Sequence, residues 1–384
     1  MTSADAADDE EGVAGLNDLL DRVGLRFARS EPRRRARVFV RGMLSQLERK
    51  NGWTLAEYAG DRSPNGMQRL LNAARWDVDG VRDDLRDWVV EQLGGHGVLV
   101  PGETRFAKRG DRSVGVQARR DVAAGSVAST QLGLFLAYAA PGGGRALIDR
   151  ELYLPESWAE DRQRCRAAGV PDGVGYATRH ELVSRMIQRA LDAKVPVRWV
   201  AADSAYGADP AWRAWLEERG LAYVVATHQS DMVTTWRGQI RDVAHLAAVL
   251  PHSAWERRPG PHDQPTGRLG TAWARIALAP APADRNGRNW ERLLLVRRSA
   301  AGATYYHCHA PAGVALPDLV RVARAVRAAE RCLDDARHDL GLDQYQVRRY
   351  DAWYRHMTLS LLAAAQLAVV RAGAAPPDVL GDLP

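Results

Sequence analysis

The period of the apolar residues changes at Gly94-Gly95, and that change most limits what this chain can fold into. Before it, residues 12–93 read mainly as helices. The stretch 36–50 places Val38, Val40, Met43, Leu44 and Leu47 at helical spacing, and Met67, Leu70, Leu71 and Ala74 stripe a second helix. After it, residues 98–100, 113–117, 129–140 and 146–154 are strand-like. Residues 180–193 return to helical periodicity through Leu182, Met186, Ile187 and Leu191. They lead into VPVRWVAADSAYG, a buried-type strand that ends at Asp203. A helix at 209–218 and the strand-like LAYVVATH at 221–228 repeat the pattern. Strands interspersed with helices predict an α/β fold around a mixed sheet.

The same reading divides the chain. Residues 1–35 form an arm expected to be flexible, acidic at Asp5, Asp8, Asp9, Glu10 and Glu11, then basic at Arg33, Arg34 and Arg35. Residues 36–95 form a helical domain and 96–239 the first part of the α/β core. Residues 240–315 contain WARIALAP, WERLLLVRRS and ATYYHCHA, three strand candidates that suggest an inserted β-rich region. Residues 316–372 return to helix, with a last apolar helix expected from Met357, and 373–384 make a tail without clear pattern.

Charge and cysteines narrow the setting. The 53 Lys and Arg outnumber the 47 Asp and Glu, for a formal net charge of +6. That balance permits an anionic partner without demanding one. No opening segment has the layout of a secretion signal, and the apolar stretch 359–370 is short for a membrane span. Cys165, Cys308 and Cys332 lack paired metal-ligand spacing and read as free thiols. A cytoplasmic protein without a membrane partner is expected.

Two basic segments are candidate DNA contacts. A short helix, the Gly-Asp-Arg-Ser-Pro break at 60–64 and a helix bearing Gln68, Arg69, Asn72 and Arg75 suit a helix-turn-helix, although plain helix packing explains the pattern equally well. Arg69 and Arg75 would touch the DNA backbone. Near the carboxyl end, Arg348 and Arg349 are the better contacts in a segment whose aromatics, Tyr345, Tyr350, Trp353 and Tyr354, fit core packing as readily as base stacking.

Three long segments carry a family likeness: LERKNGWTLAEYAGDRSPNGMQRLLNAARWD at 47–77, ALIDRELYLPESWAEDRQRCRAAGVP at 146–171 and GLDQYQVRRYDAWYRHMTLSLLAAAQLA at 341–368. Over most of residues 36–370 the chain resembles the insertion-sequence 701 family of bacterial transposases. The resemblance implies a ribonuclease-H-like core whose Asp, Asp, Glu triad uses Mg²⁺ to cut DNA ends and join them to a target. It also implies double-stranded DNA as partner, with assembly of more than one copy around paired ends.

Matched residue by residue, the resemblance places the second Asp at Asp203 and the Glu at Glu330, which would be the metal ligands. The first Asp belongs in a strand where the family reads valine-aspartate-glutamate-threonine-glycine-phenylalanine. Here the residues are Pro101, Gly102, Glu103, Thr104, Arg105 and Phe106. Gly102 stands where the first ligand should be, and Pro101-Gly102 is expected to disturb the strand. Around Glu330 the family's arginine four residues earlier is Val326, its lysine seven residues later is Arg337, and its tryptophan and isoleucine are Arg327 and Ala329. The family's glycine-arginine-isoleucine-glutamate-asparagine stretch matches Gly125 to Ser129, with its charged and amide groups gone.

Two-ion phosphodiester chemistry needs several carboxylate oxygens converging from separate elements, so loss of one shared ligand is severe. Three readings follow. The chain is a decayed or domesticated transposase that binds DNA without cutting it efficiently. Or Glu103 replaces the missing ligand in a Mg²⁺-dependent transposase; on a regular strand it faces away from the side used by residue 102, but a bulge at Pro101-Gly102 would turn it back. Or the cleft serves another enzyme class acting on a small molecule, with His307, Cys308, His309, Tyr206, Cys332, His338 and Asp334-Asp335 as its polar groups. His307 and His309 share one side of a strand, yet no third metal ligand accompanies them.

Overall fold

The computed structural model describes residues 3–121, 126–258, 271–281 and 287–374. The fold begins with five helices: α1 (Ser3–Gly24), α2 (Ser30–Leu44), α3 (Gly52–Tyr58), α4 (Asn65–Asn72) and α5 (Val78–Leu93). Strands β1 (Gly97–Lys108), β2 (Gln117–Asp121), β3 (Ser126–Ala139) and β4 (Arg145–Leu152) follow, then α6 (Glu156–Glu160), α7 (Arg162–Ala167) and α8 (Arg179–Asp192). Next come β5 (Val197–Ala202), α9 (Ser204–Gly207), α10 (Pro210–Glu218), β6 (Ala222–Thr227), the small hairpin β7 (Met232–Thr234) and β8 (Ile240–Asp242), and α11 (Val243–Ala248). Strands β9 (Glu256–Arg257), β10 (Ala272–Ala277), β11 (Trp290–Ser299) and β12 (Gly302–Pro311) precede α12 (Leu316–Ala325), α13 (Ala328–Leu340) and α14 (Tyr350–Ala374).

These elements fall into two compact units. Among the described residues the first takes 3–95, 101–195 and 329–374; the second takes His96–Val100 and Pro196–Ala328. In the first, β3 lies beside β1 and pairs antiparallel with β2 through its opening residues and with β4 through its later ones. Helix α14 is its centre. Trp353, Met357, Leu359, Leu361 and Leu362 are buried, and the helix packs on β4 and on α1, α2, α4 and α5. By length and composition α14 could cross a membrane, but half of its most apolar window is buried inside the fold. An all-round apolar helix of this kind serves equally as the core of a globular unit.

The second unit holds a mixed sheet. The opening residues of β1 run parallel to β5, β5 parallel to β6, and β6 antiparallel to β12; β11, β10 and β9 follow antiparallel. Helix α12 packs on β5, β6 and β10. The chain has an α/β, ribonuclease-H-like fold: the strand and helix periods predict the α/β class, and the resemblance implies the ribonuclease-H-like core.

Several boundaries differ from the sequence reading. Residues 12–35 are not an arm: α1 buries Leu19, Leu20 and Val23 and packs on α5 and α14. The amino-terminal helices are not a body of their own, because α14 presents apolar side chains to them as well as to the sheet. The strands of 272–311 are no separate insertion either. Tyr305 to His309 pair with Thr227 to Tyr223, so these strands continue the sheet begun by β5 and β6. The last helix starts at Tyr350, seven residues before the expected Met357, and the helix over 316–340 is broken between Ala325 and Ala328. Strand β1 passes through Pro101-Gly102 without interruption. Its pairing with β5 covers Gly97 to Leu99, so the N–H that Pro101 lacks removes no bond from that ladder. Gly125 and most of the tail lie outside the described residues.

Candidate functional site

The position to which the family resemblance assigns the first ligand, Gly102, is built by β1 and α13. Gly102 has ordinary extended backbone, so its small size answers a contact and not a conformational demand. A Cβ placed on Gly102 would stand 2.6 Å from Cβ of Ala329 and 3.6 Å from Cδ1 of Leu333. Real carbon atoms do not approach so closely. Helix α13 therefore rests on the strand at Gly102, and the volume an aspartate would occupy is filled by the helix that carries Glu330.

The neighbouring carboxylate points elsewhere. Glu103 accepts hydrogen bonds from Nη1 of Arg179 at 3.2 and 3.1 Å, and Nη2 of Arg105 lies 3.9 Å away. Residues 103 and 105 share one face of the strand while 102, 104 and 106 share the other, with Thr104 and Phe106 buried. The side chain of Glu103 is thus held on the face opposite the one on which Gly102 meets α13. Arg337 ties the same two elements together, donating from Nη2 to the carbonyl of Arg105 at 3.1 Å.

Glu330 is exposed in the first turn of α13. Asp203 belongs to the second unit; it is exposed at the end of β5 and caps α9, accepting from the Ala205 amide at 3.0 Å. Among the described residues no group of three or more His, Cys, Asp or Glu side chains is placed to hold a metal ion. At the position that the resemblance gives to the first ligand, the residues present do not fit Mg²⁺, which needs oxygen donors at about 2.1 Å: Gly102 has no side chain and Glu103 is engaged by Arg179.

The amino-terminal basic residues have a different setting. Helix α4 buries Gly66, Met67, Leu70 and Leu71 and turns Asn65, Gln68, Arg69 and Asn72 outward, where they line a shallow hollow of about 370 Å³. Arg69 is 69% exposed, 4.0 Å from Glu31, and Arg75 is exposed beyond the helix end. Arg348 and Arg349 are exposed as well, Arg349 lying 3.3 Å from Asp351. The aromatics around them belong to the core. Trp353 donates to the Tyr345 hydroxyl at 3.2 Å, and the half-buried Tyr354 donates its hydroxyl to Glu151 at 2.7 Å.

The groups that could serve another enzyme class are mostly packed away. Burial pushes the Cys332 thiol up to about 12 and raises Cys308 further, so neither supplies thiolate near neutrality. His309 stacks on Trp290 at 4.4 Å and on Tyr223 at 5.6 Å. Burial lowers His307 to about 4. Tyr206 is buried, and Asp335 lies 3.7 Å from Arg145.

Two groups have partners that the sequence alone does not disclose. Asp149, 3% exposed, lies 2.9 Å from Arg189, 3.7 Å from Arg82 and 3.6 Å from Arg150, a buried charge cluster joining β4, α5 and α8. Only long-range packing brings those residues together, although the DRE run at 149–151 inside an apolar strand was a local hint. Lys108 sits with Nζ 3.1 Å from the Tyr345 ring centroid, and burial lowers it to about 7.

The ribonuclease-H-like fold defines the class of scaffold, and comparison with known proteins agrees with it. Residues 22–245 match the family described as DDE superfamily endonuclease. The chain belongs to that family. It is also 26% identical over 201 residues to the "Probable transposase for insertion sequence element IS701" of Microchaete diplosiphon, a match covering 50% of this chain and 48% of the relative. The chain thus spans about half the length of the curated relative it matches.

Proposed function

We propose that this chain is a transposase-derived DNA-binding protein of the insertion-sequence 701 type that does not cut DNA efficiently. One observation carries the reading: Ala329 occupies the space in front of Gly102, so the position that the resemblance gives to the first metal ligand has neither a carboxylate nor room for one. Family membership and the outward arginines Arg69, Arg75, Arg348 and Arg349 support retained binding to duplex DNA. The alternative in which Glu103 supplies the ligand has against it the ion pair with Arg179 on the other face of β1.

The test uses the DNA ends that flank the gene, with Mg²⁺ or Mn²⁺. The expected result is salt-sensitive binding without cleavage. Cleavage by the native chain that Asp203→Ala and Glu330→Ala abolish would overturn the proposal in favour of an active nuclease. A folded chain that neither binds nor cuts these ends would overturn it in favour of a repurposed enzyme.

A further inference from the structure

Helix α4 has two faces of opposite chemistry. Its inner face, Gly66, Met67, Leu70 and Leu71, is buried where α4 packs against α2, α3 and α14. The packing leaves little freedom: a Cβ on Gly66 would overlap the Arg35 guanidinium, which itself pairs with Glu31 and Asp61. The outer face holds Asn65, Gln68, Arg69 and Asn72, all exposed, at spacings of three, four and seven residues that bring them onto one side. The helix contains no carboxylate.

That composition is unusual for a merely solvated face, which would ordinarily mix Lys and Glu. Amide and guanidinium groups share one property here: each offers two hydrogen-bonding atoms in a plane. Asn and Gln match the adenine edge in the major groove, donor to N7 and acceptor to the N6 amino group, and Arg matches O6 and N7 of guanine. Size agrees too. Eight residues span about 12 Å of helix, comparable to the width of the B-form major groove. The α2–α3–α4 cluster holds this helix against the body of the first unit and leaves its polar side open, as a major-groove reader requires.

We propose that α4 is a recognition helix whose Gln68, Arg69 and Asn72 read base edges in the major groove of double-stranded DNA, at a short site containing adenine and guanine. This rests on the DNA-binding reading above and adds to it a location and a base preference. Asn72 donates to the Gln68 carbonyl at 2.9 Å, which holds its amide plane against the helix and pre-sets its orientation.

The full chain is used to select from random duplex DNA, and the selected site is then titrated by fluorescence anisotropy. Gln68→Ala, Arg69→Ala and Asn72→Ala change exposed positions, so each variant folds, which circular dichroism checks. The expected result is enrichment of one short site, with each variant losing about 10-fold in affinity for it. Affinity for unrelated duplex falls little for Gln68→Ala and Asn72→Ala. In repeat selections, the base preference lost is adenine for Gln68→Ala and Asn72→Ala, and guanine for Arg69→Ala. Enrichment of one unchanged site by all three variants overturns the assignment to α4 and leaves DNA binding standing. Binding without any enrichment does the same. Equal competition by duplex RNA of the selected sequence also overturns it, because the A-form major groove is too deep and narrow for a helix. No binding to any duplex overturns this inference and the DNA-binding reading together.

Discussion

Gly102 is packed so closely on Ala329 that it cannot gain a carbon without moving β1 or α13, since a Cβ on Gly102 would lie 2.6 Å from Cβ of Ala329. A carboxylate side chain placed at residue 102 therefore has no room unless one of these elements moves. Gly102→Asp is expected to destabilise the fold by about 1–3 kcal/mol through overpacking. Ala329→Gly alone costs about 1 kcal/mol from helix propensity. Combined, the two should cost clearly less than their sum, because removing the Ala329 methyl removes the atom that the introduced carboxylate side chain would strike. Urea denaturation of the two single variants and the double variant measures this coupling. Strictly additive losses would show that the two positions do not compete for space.

The two readings of Glu103 differ in what its removal does. Paired with Arg179 and a quarter exposed, it contributes at most about 1 kcal/mol to stability. Glu103→Gln is then expected to leave any weak Mn²⁺ affinity of the chain unchanged, as read by the paramagnetic broadening of bound ion. A tenfold loss of Mn²⁺ affinity on that substitution would return Glu103 to the ligand set.

The elements with a clean period were legible in advance. The run from Leu182 to Leu191 keeps helical spacing and the strand ending at Asp203 is a short continuous apolar run, and both stand where expected. Gly102 was legible only as a missing ligand. That α13 fills its place depends on a contact 227 positions away in sequence, between two small residues that carry no local signal. The arm expected over 1–35 went astray for a related reason: α1 is mixed in composition and becomes ordered by packing on α14. On α4 the apolar stripe identified the buried face, while the outward face could be read as solvated or as a DNA contact with equal ease.

Asp149 is a structural counter-ion. It is buried against Arg82, Arg150 and Arg189, two of whose side chains are 8% exposed or less. Asp149→Asn keeps the shape and removes the charge, leaving these guanidinium groups without that partner in a dry site. A loss of about 3–5 kcal/mol is expected, or failure to accumulate as folded protein. A loss below about 1 kcal/mol in urea would mean that Glu151 and Asp79 compensate unaided.

The core also fixes how stability follows pH. His356 is buried, with Lys108 close enough to oppose its charging, and burial first of all lowers it to about 3; burial lowers His307 to about 4. Both are neutral when folded and take up a proton near pH 6.5 when unfolded. The unfolded state therefore binds more protons below pH 6.5, and stability that is full above that value is lost as pH falls toward 4. The slope approaches about 1.4 kcal/mol per pH unit for each histidine. Between pH 6.5 and 4.5 this contribution precedes most of the carboxylate titration. Urea unfolding at half-unit steps across that window should show the decline, and His356→Leu should remove close to half of it. A flat profile in the native chain would mean that these imidazoles accept protons without unfolding, and that the packing of Tyr345, Phe39 and Ser360 around His356 opens to water.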